Sequence, residues 1–491
     1  MKRVFSLCAA IIVIMLSVTT ESFAAPKKEA KGTAEAPLKV TVSTLKELMP
    51  YLKQDYVELT MTPGIYRISA ADAKAGRYSE TAEVVEGLPT HALLYFQGNN
   101  STYDFTDVTV EVESEVVNSY QGRHYGVYEM HVVGSRNVIK NLKLVDVGSI
   151  DYAPRYGWVN AVIDGANNRI DGVEIYSKGS KPYRYGEVFG KGNKYLIKHQ
   201  KHSACLVRGN HNHIKDCRII HRCYGHFLFI QGGRDVLVEG CYIEGEMVST
   251  DTILAEKGSG SAADKIGFKT INGYTLPSGY TLCLGEDGVR SYSAGNTIVD
   301  GQRLSKRKTG SVTVRNCTIK HTRAGVGLTL GDGDKIVENC TIIGCQEGMQ
   351  IASGGKIINC KVDAAFGPAL GFAYDRISNV TADITIMPYE GKAYGVNGSK
   401  HIAHIQGTGH NITFRKGEGL DPSADDYYIS VGGNRKTIGK LAEDDNSLAK
   451  GLNFVNETGY KIVLDDNTSS NTIKTNGEVT DEGTDNTITK L

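Results

Sequence analysis

Asn316-Cys317-Thr318-Ile319, Asn339-Cys340-Thr341-Ile342 and Asn359-Cys360-Lys361-Val362 are three copies of one phrase. A small polar residue precedes a small apolar one, then an outward residue, then an aliphatic one. Working outward, the phrase is found again in Asp216-Cys217-Arg218-Ile219, Gly240-Cys241-Tyr242-Ile243 and Asn141-Leu142-Lys143-Leu144. Asp171-Gly172-Val173-Glu174-Ile175 is the same phrase lengthened by one residue. The five cysteines are 24, 76, 23 and 20 residues apart, which reads as one coil, about three coils, one coil and one coil. A period of about 20 to 25 residues built from short alternating strands marks a solenoid.

Each coil carries more than this phrase. A second apolar strand lies upstream, as in Ala204-Cys205-Leu206-Val207-Arg208, Phe227-Leu228-Phe229-Ile230-Gln231 and Val326-Gly327-Leu328-Thr329-Leu330. A third short strand directly precedes the phrase, as in Asn137-Val138-Ile139-Lys140 and Asp334-Lys335-Ile336-Val337. Three short strands per turn, separated by Gly, Asn and Asp, describe an all-β parallel β-helix, because these residues accept the positive φ of tight corners. One helix is expected near the start. Thr44 and Glu47 have capping-box spacing, Leu45, Leu48, Met49 and Leu52 follow a helical period, and Pro50 shortens the run. A strand then ends in Pro63-Gly64-Ile65-Tyr66. At the other end the phrase shortens to Asn471-Thr472-Ile473 and Asn486-Thr487-Ile488.

Residues 1–24 read as a secretory leader: Lys2 and Arg3, an apolar run from Leu7 to Val18, then Ser22-Phe23-Ala24 with small residues at the cleavage positions. The run is too short for a membrane span. Residues 25–37 read as a linker and 38–491 as one β-helix with inserted loops near 176–201 and 244–312. The expected location is therefore secreted or periplasmic. Nine cysteines follow the leader. Equivalent residues of adjacent coils stack about 4.8 Å apart, against about 3.8 Å between the Cβ atoms of a disulfide, so buried free thiols are expected.

The chain has 55 basic and 55 acidic residues, but they are unevenly placed. Eleven Lys and Arg lie between Lys178 and Arg222, opposed only by Glu187 and Asp216, with Tyr176, Tyr183, Tyr185, Phe189 and Tyr195 interleaved. Cations beside aromatic rings suit an acidic polysaccharide, and Lys181, Arg184, Tyr185, Lys191, Lys194 and Arg222 are the candidate binding residues. The bland reading is a solvated loop. A nucleic-acid partner is set aside, because the chain is exported and carries no net positive charge. Nothing in the sequence indicates the oligomeric state. Six of the 13 histidines lie between His199 and His226. His202 and His226 fall at nearly one register on successive coils, which would make them neighbours on one face, with Arg208 and Gln231 neighbours farther along. A cation near a histidine suits it to act as a base. In the second insertion, adjacent Glu286 and Asp287 are candidates for a calcium site or an acid/base pair, against a polar turn closed by Gly288.

The repeat, with the strand, helix and Pro63-Gly64-Ile65-Tyr66 corner at its start, resembles the pectate-lyase-like right-handed parallel β-helix superfamily of secreted polysaccharide lyases, epimerases and hydrolases. The resemblance spans roughly residues 38–491 and rests on repeat and cap. The hydrolase pattern Asn-Thr-Asp, Asp-Asp, Gly-His-Gly, Arg-Ile-Lys is not found, nor is the epimerase Asp-Pro-His-Asp. The resemblance implies cleavage of a uronic-acid-containing polysaccharide by β-elimination. That reaction needs a cation on the carboxylate, a base for the neighbouring proton and an acid for the leaving oxygen. Arg208 with Lys201 is assigned the carboxylate, His202 or His226 the proton, and Tyr224 the leaving group. No cofactor is required on this reading, and calcium at Glu286 and Asp287 is the alternative neutraliser. The other readings are a glycoside hydrolase using Glu286 and Asp287, and a non-catalytic glycan-binding β-helix.

Overall fold

A computed structural model describes residues 31–150, 156–179, 186–189, 196–197, 200–271, 273–299, 302–372, 376–389, 394–395, 401–433 and 447–491. The leader 1–24 lies outside these residues. The described part of the linker, 31–37, contains neither helix nor strand.

The chain winds as a parallel β-helix. One coil consists of Val138–Lys140, Lys143–Val147 and Gly157–Ile163. The next consists of Arg169–Asp171, Glu174–Lys178 and His202–Val207, and each strand pairs in parallel with its predecessor. Repetition generates three ladders, with the first two merged into one large sheet. The repeated phrase is the corner between these two. Asn141, Gly172, Asp216, Gly240, Asn316, Asn339 and Asn359 all have φ between 50° and 65°, a region costly for residues with an ordinary side chain. The small apolar residue after each corner turns inward, and the next aliphatic residue does the same. Leu144, Ile175, Ile219, Ile243, Ile319 and Ile342 stand in one row, all buried. Each such side chain contributes about 1.5–3 kcal/mol of burial.

All nine described cysteines are free and buried. Cys217, Cys241, Cys317, Cys340 and Cys360 share one inward row, and each thiol faces a backbone carbonyl of the preceding coil, as Cys340 does that of Val314 at 3.6 Å.

One spacing reads differently in three dimensions. Tyr242–Glu244 pairs directly with Thr318–Lys320, so Cys241 and Cys317 lie on adjacent coils, not about three coils apart. The 76 residues between them are one coil with two excursions. Its third strand, Val289–Ser291, lies between Leu228–Ile230 and Ala324–Leu328. One excursion holds the antiparallel pair Met247–Ser249 and Tyr280–Cys283 with two short helices, Thr250–Leu254 and Ala262–Lys265. The other is the hairpin of Ala294–Val299 and Gln302–Lys308. The first excursion has its own small core, in which Ile253, Ala263, Phe268, Leu276 and Leu282 pack with Val188 and Phe189 of the earlier loop.

The start of the solenoid is closed as expected. Leu38–Val42 and Val57–Met61 flank the helix Leu45–Tyr51. Thr44 Oγ1 accepts from Glu47 N, and Glu47 accepts from Ser43 N. Leu48 and Leu52 seal the interior. The shortened phrases at the other end are true coils: Ile473 stacks on Ile488, and Asn471 N donates to Asn486 Oδ1. No helix among the described residues is long and apolar enough to cross a membrane.

Candidate functional site

The outer face of the third ladder carries a groove of about 750 Å³. Strands Gly126–Val132, Gly157–Ile163, His202–Val207 and Leu228–Ile230 form its floor. Alternate residues of a strand face out, which turns Tyr128, Val162, Leu206 and Phe229 into a common apolar patch. Around it stand Arg123, Tyr125, Tyr156, Lys201, His226 and Tyr292.

One end of the groove is organised by Glu286. Lys201 Nζ donates to Glu286 Oε2 at 2.6 Å, and His226 Nε2 lies 2.9 Å from the same oxygen. His226 Nε2 is also hydrogen-bonded to the Tyr292 hydroxyl. Arg323 reaches Glu286 Oε1 at 3.5 Å and Asp287 Oδ1 at 2.7 Å, and Arg290 pairs with Asp287 Oδ2. Burial opposes the charge on Glu286, but His226, Lys201 and Arg323 outweigh it and hold its carboxyl well below the usual range. Arg323 and Arg290 do the same for Asp287. Burial lowers the His226 pKa, with Glu286 opposing, and it raises that of Tyr292. Lys201 keeps 35% of its side chain exposed while Glu286 keeps 3%, so Lys201 is more open to solvent than the carboxylate it holds.

These contacts decide the calcium reading. A calcium site needs several oxygens free to face one ion. Both carboxylates are already engaged by Lys201, Arg290 and Arg323, so the residues present do not fit calcium.

The other end of the groove holds Arg208, which is tied to two of the protein's own acids. Its Nε and Nη2 grip Asp164 at 2.5 and 2.6 Å, and Nη2 reaches Glu83 at 3.1 Å. Tyr128 and His131 bond to the same two carboxylates. With 4% of its side chain exposed, Arg208 neutralises the protein's own acids. Gln231 lines the groove with it, as the register reading required.

His202 and His226 do not share a face. Cys205 pairs with Leu228, an offset of 23 residues, whereas 24 separate the two histidines. His226 instead aligns with Ser203, whose Oγ accepts from His226 N. A slip of one residue reverses the face. His202 therefore points inward, stacked on Trp158 with ring centroids 3.9 Å apart and with Nε2 3.5 Å from Asp146. Tyr224 is fully buried, with the Lys201 ammonium 5.5 Å from its ring centre. Arg222 lies on the second ladder, bonded to Glu244 and to the Gly245 carbonyl, away from the groove lining. Lys181, Arg184, Tyr185, Lys191 and Lys194 lie outside the described residues. Sequence reasoning missed Tyr292, Arg290, Arg323, Asp164 and Glu83. None belongs to the repeated phrase; Tyr292 lines the groove, and the other four are ion-pair partners of Arg208, Glu286 or Asp287.

No family model matches the chain, and no curated protein matches it in sequence. Among solved structures it is similar to a PL6 alginate lyase in complex with a trisaccharide, at 12% identity and TM-score 0.45, over 92% of this chain and 87% of that one. It is similar to a tailspike protein of the Acinetobacter baumannii bacteriophage Fri1, a capsular polysaccharide depolymerase, at 12% identity and TM-score 0.34, over 78% and 60% of the two chains. It is also similar to an endo-xylogalacturonan hydrolase from Aspergillus tubingensis, at 9% identity and TM-score 0.31, over 92% and 93%. All three are parallel β-helix proteins. At these identities the likeness is one of fold alone.

Proposed function

We propose that the protein is an exported carbohydrate-active enzyme that binds an acidic polysaccharide along the third-ladder groove and cleaves it by β-elimination. The observation that carries this reading is the convergence of Lys201 and of His226 with its Tyr292 partner on one carboxylate oxygen. A cation and a proton-transfer pair thereby stand within one sugar ring's width.

In this scheme Lys201 meets the uronate carboxylate and makes the adjacent C–H acidic. The Tyr292–His226 pair removes that proton. The C–H electron pair becomes the new double bond, and the glycosidic C–O bond breaks toward the leaving oxygen. The same pair returns the proton to that oxygen. Glu286 positions both Lys201 and His226 and does not touch the sugar. The aromatic faces of Tyr125, Tyr156 and Phe229 suit ring stacking, and exposed Arg123 suits a second carboxylate.

The test is incubation with a panel of uronic polysaccharides, following ultraviolet absorbance of the conjugated double bond and, in parallel, reducing ends and affinity. Absorbance rising with reducing ends is expected. Reducing ends without absorbance would mean hydrolysis. Binding with neither would mean a glycan-binding protein.

A further inference from the structure

We infer that the interior of the β-helix, beneath the groove floor, holds a site for one divalent first-row transition ion, zinc or manganese, ligated by Glu129, Asp146 and His202. The three come from separate strands, Gly126–Val132, Lys143–Val147 and His202–Val207. Their ligand atoms all lie within 4.8 Å of one another. The 3.5 Å between His202 Nε2 and Asp146 Oδ2 is close to the separation of two ligands across a tetrahedral ion with bonds of about 2.1 Å.

Two independent features point to an ion. The first is unmet bonding capacity. Glu129 Oε2 and both ring nitrogens of His202 have no hydrogen-bond partner, and all are buried beyond reach of solvent. The second is uncompensated charge. Among the described residues no Lys or Arg pairs with Glu129 or Asp146, in contrast to Glu286, Asp287 and Asp164 nearby. A divalent ion would balance two carboxylates and occupy the orphaned atoms.

The surroundings hold the ligands in place. The Trp158 indole donates to Glu129 Oε1 at 2.6 Å and stacks on His202. Asn160 donates to Asp146 Oδ1 at 3.0 Å, Lys178 N to Asp146 Oδ2 at 2.5 Å, and Ser177 Oγ to Asn160 Oδ1. Such outer contacts are what fix ligand orientation at a metal centre. An imidazole with two carboxylates favours zinc or manganese over calcium, which prefers a larger all-oxygen shell.

The experiment uses the full chain stripped with a chelator, then equilibrated with zinc(II), manganese(II) or calcium(II), with metal content and thermal midpoint measured. About one equivalent of zinc or manganese and a raised midpoint are expected. Glu129→Gln and His202→Ala should lose the ion, and Lys201→Met, in the groove, should keep it. The parent chain gives an answer even where a ligand variant fails to fold. No uptake of zinc or manganese, with a midpoint indifferent to ion and chelator, overturns the site and leaves a proton shared by Glu129 and Asp146. Uptake retained by both ligand variants, or a response to calcium alone, overturns it as well.

Discussion

The corner between the first two ladders and the outer face of the third obey opposite rules. At the corner, the row Leu142, Val173, Cys217, Cys241, Cys317, Cys340 and Cys360 holds small apolar residues throughout. Along one outward row of the third ladder, Tyr128, Val159 and Ser203 stand in register and His226 follows, all chemically different. The corner must turn the chain and fill the interior in every coil, so every coil repeats it. The outer face bears no load common to all coils, and the repeat leaves it free for chemistry. Changes at the corner should therefore cost stability and spare the groove, and changes on the outer face should fall first on the groove.

The largest expected effect tests the outer face. Lys201→Met and His226→Ala should each lower turnover by about 10²–10⁴-fold, the range typical of lost acid–base groups, and each should also lower Tm, because each takes a partner from the buried Glu286 carboxylate. Substrate affinity should fall for Lys201→Met and hold for His226→Ala, because the proton-transfer group acts mainly in the transition state. Burial holds His226 below its ordinary 6.5, so the acid limb of the parent rate profile should lie below pH 6.5, where His226 takes up a proton and stops acting as a base. Intact turnover in both variants would move the catalytic centre elsewhere.

Arg208 is the exception that sharpens the comparison. It lines the groove yet serves the fold, because Asp164 and Glu83 are buried against it. Arg208→Met should leave Asp164 with His131 and Glu83 with Tyr128 but neither with the guanidinium, and cost about 3–5 kcal/mol, read as a drop in the urea midpoint. A variant that loses turnover with its stability intact would return Arg208 to the substrate.

Next comes the interior. Cys340→Ser replaces a thiol by a hydroxyl in an apolar row, and an imperfectly satisfied hydroxyl costs about 1–3 kcal/mol. Denaturant unfolding should show that loss, with turnover per folded molecule unchanged.

The same contrast explains what could be read from the residues. The corner phrase, the three strands per coil and the capped start are local patterns, each fixed by strand alternation, positive φ or helix capping. The distance from Cys241 to Cys317 misled because an excursion such as Thr250–Leu254 with Ala262–Lys265 has a length that imitates coils. His202 misled because the offset between strands, 23 residues and not 24, depends on corner lengths that no single strand reveals. Lys201 and His226 could be picked out by residue type. Glu83, 125 residues from its partner Arg208, could not, since only the stacking of several coils brings them together.

The smallest effect belongs to the corner residue itself and isolates backbone from side chain. Asn339 has φ 52°, and its side-chain oxygen accepts from Asn359 Nδ2 at 2.8 Å on the exposed surface. If the position is chosen for its backbone, Asn339→Gly should change stability by only a few tenths of a kcal/mol, since glycine accepts this φ and the lost bond is solvated. Asn339→Val should cost about 1–2 kcal/mol, because a β-branched residue strains in the left-handed region. Urea unfolding of the two variants separates the causes. Equal losses would show that the Asn339–Asn359 contact holds the corner. A loss confined to valine would show that the seven corners draw on Asn, Gly and Asp alone to meet a single dihedral requirement. The groove face has no such requirement and so has no reason to repeat.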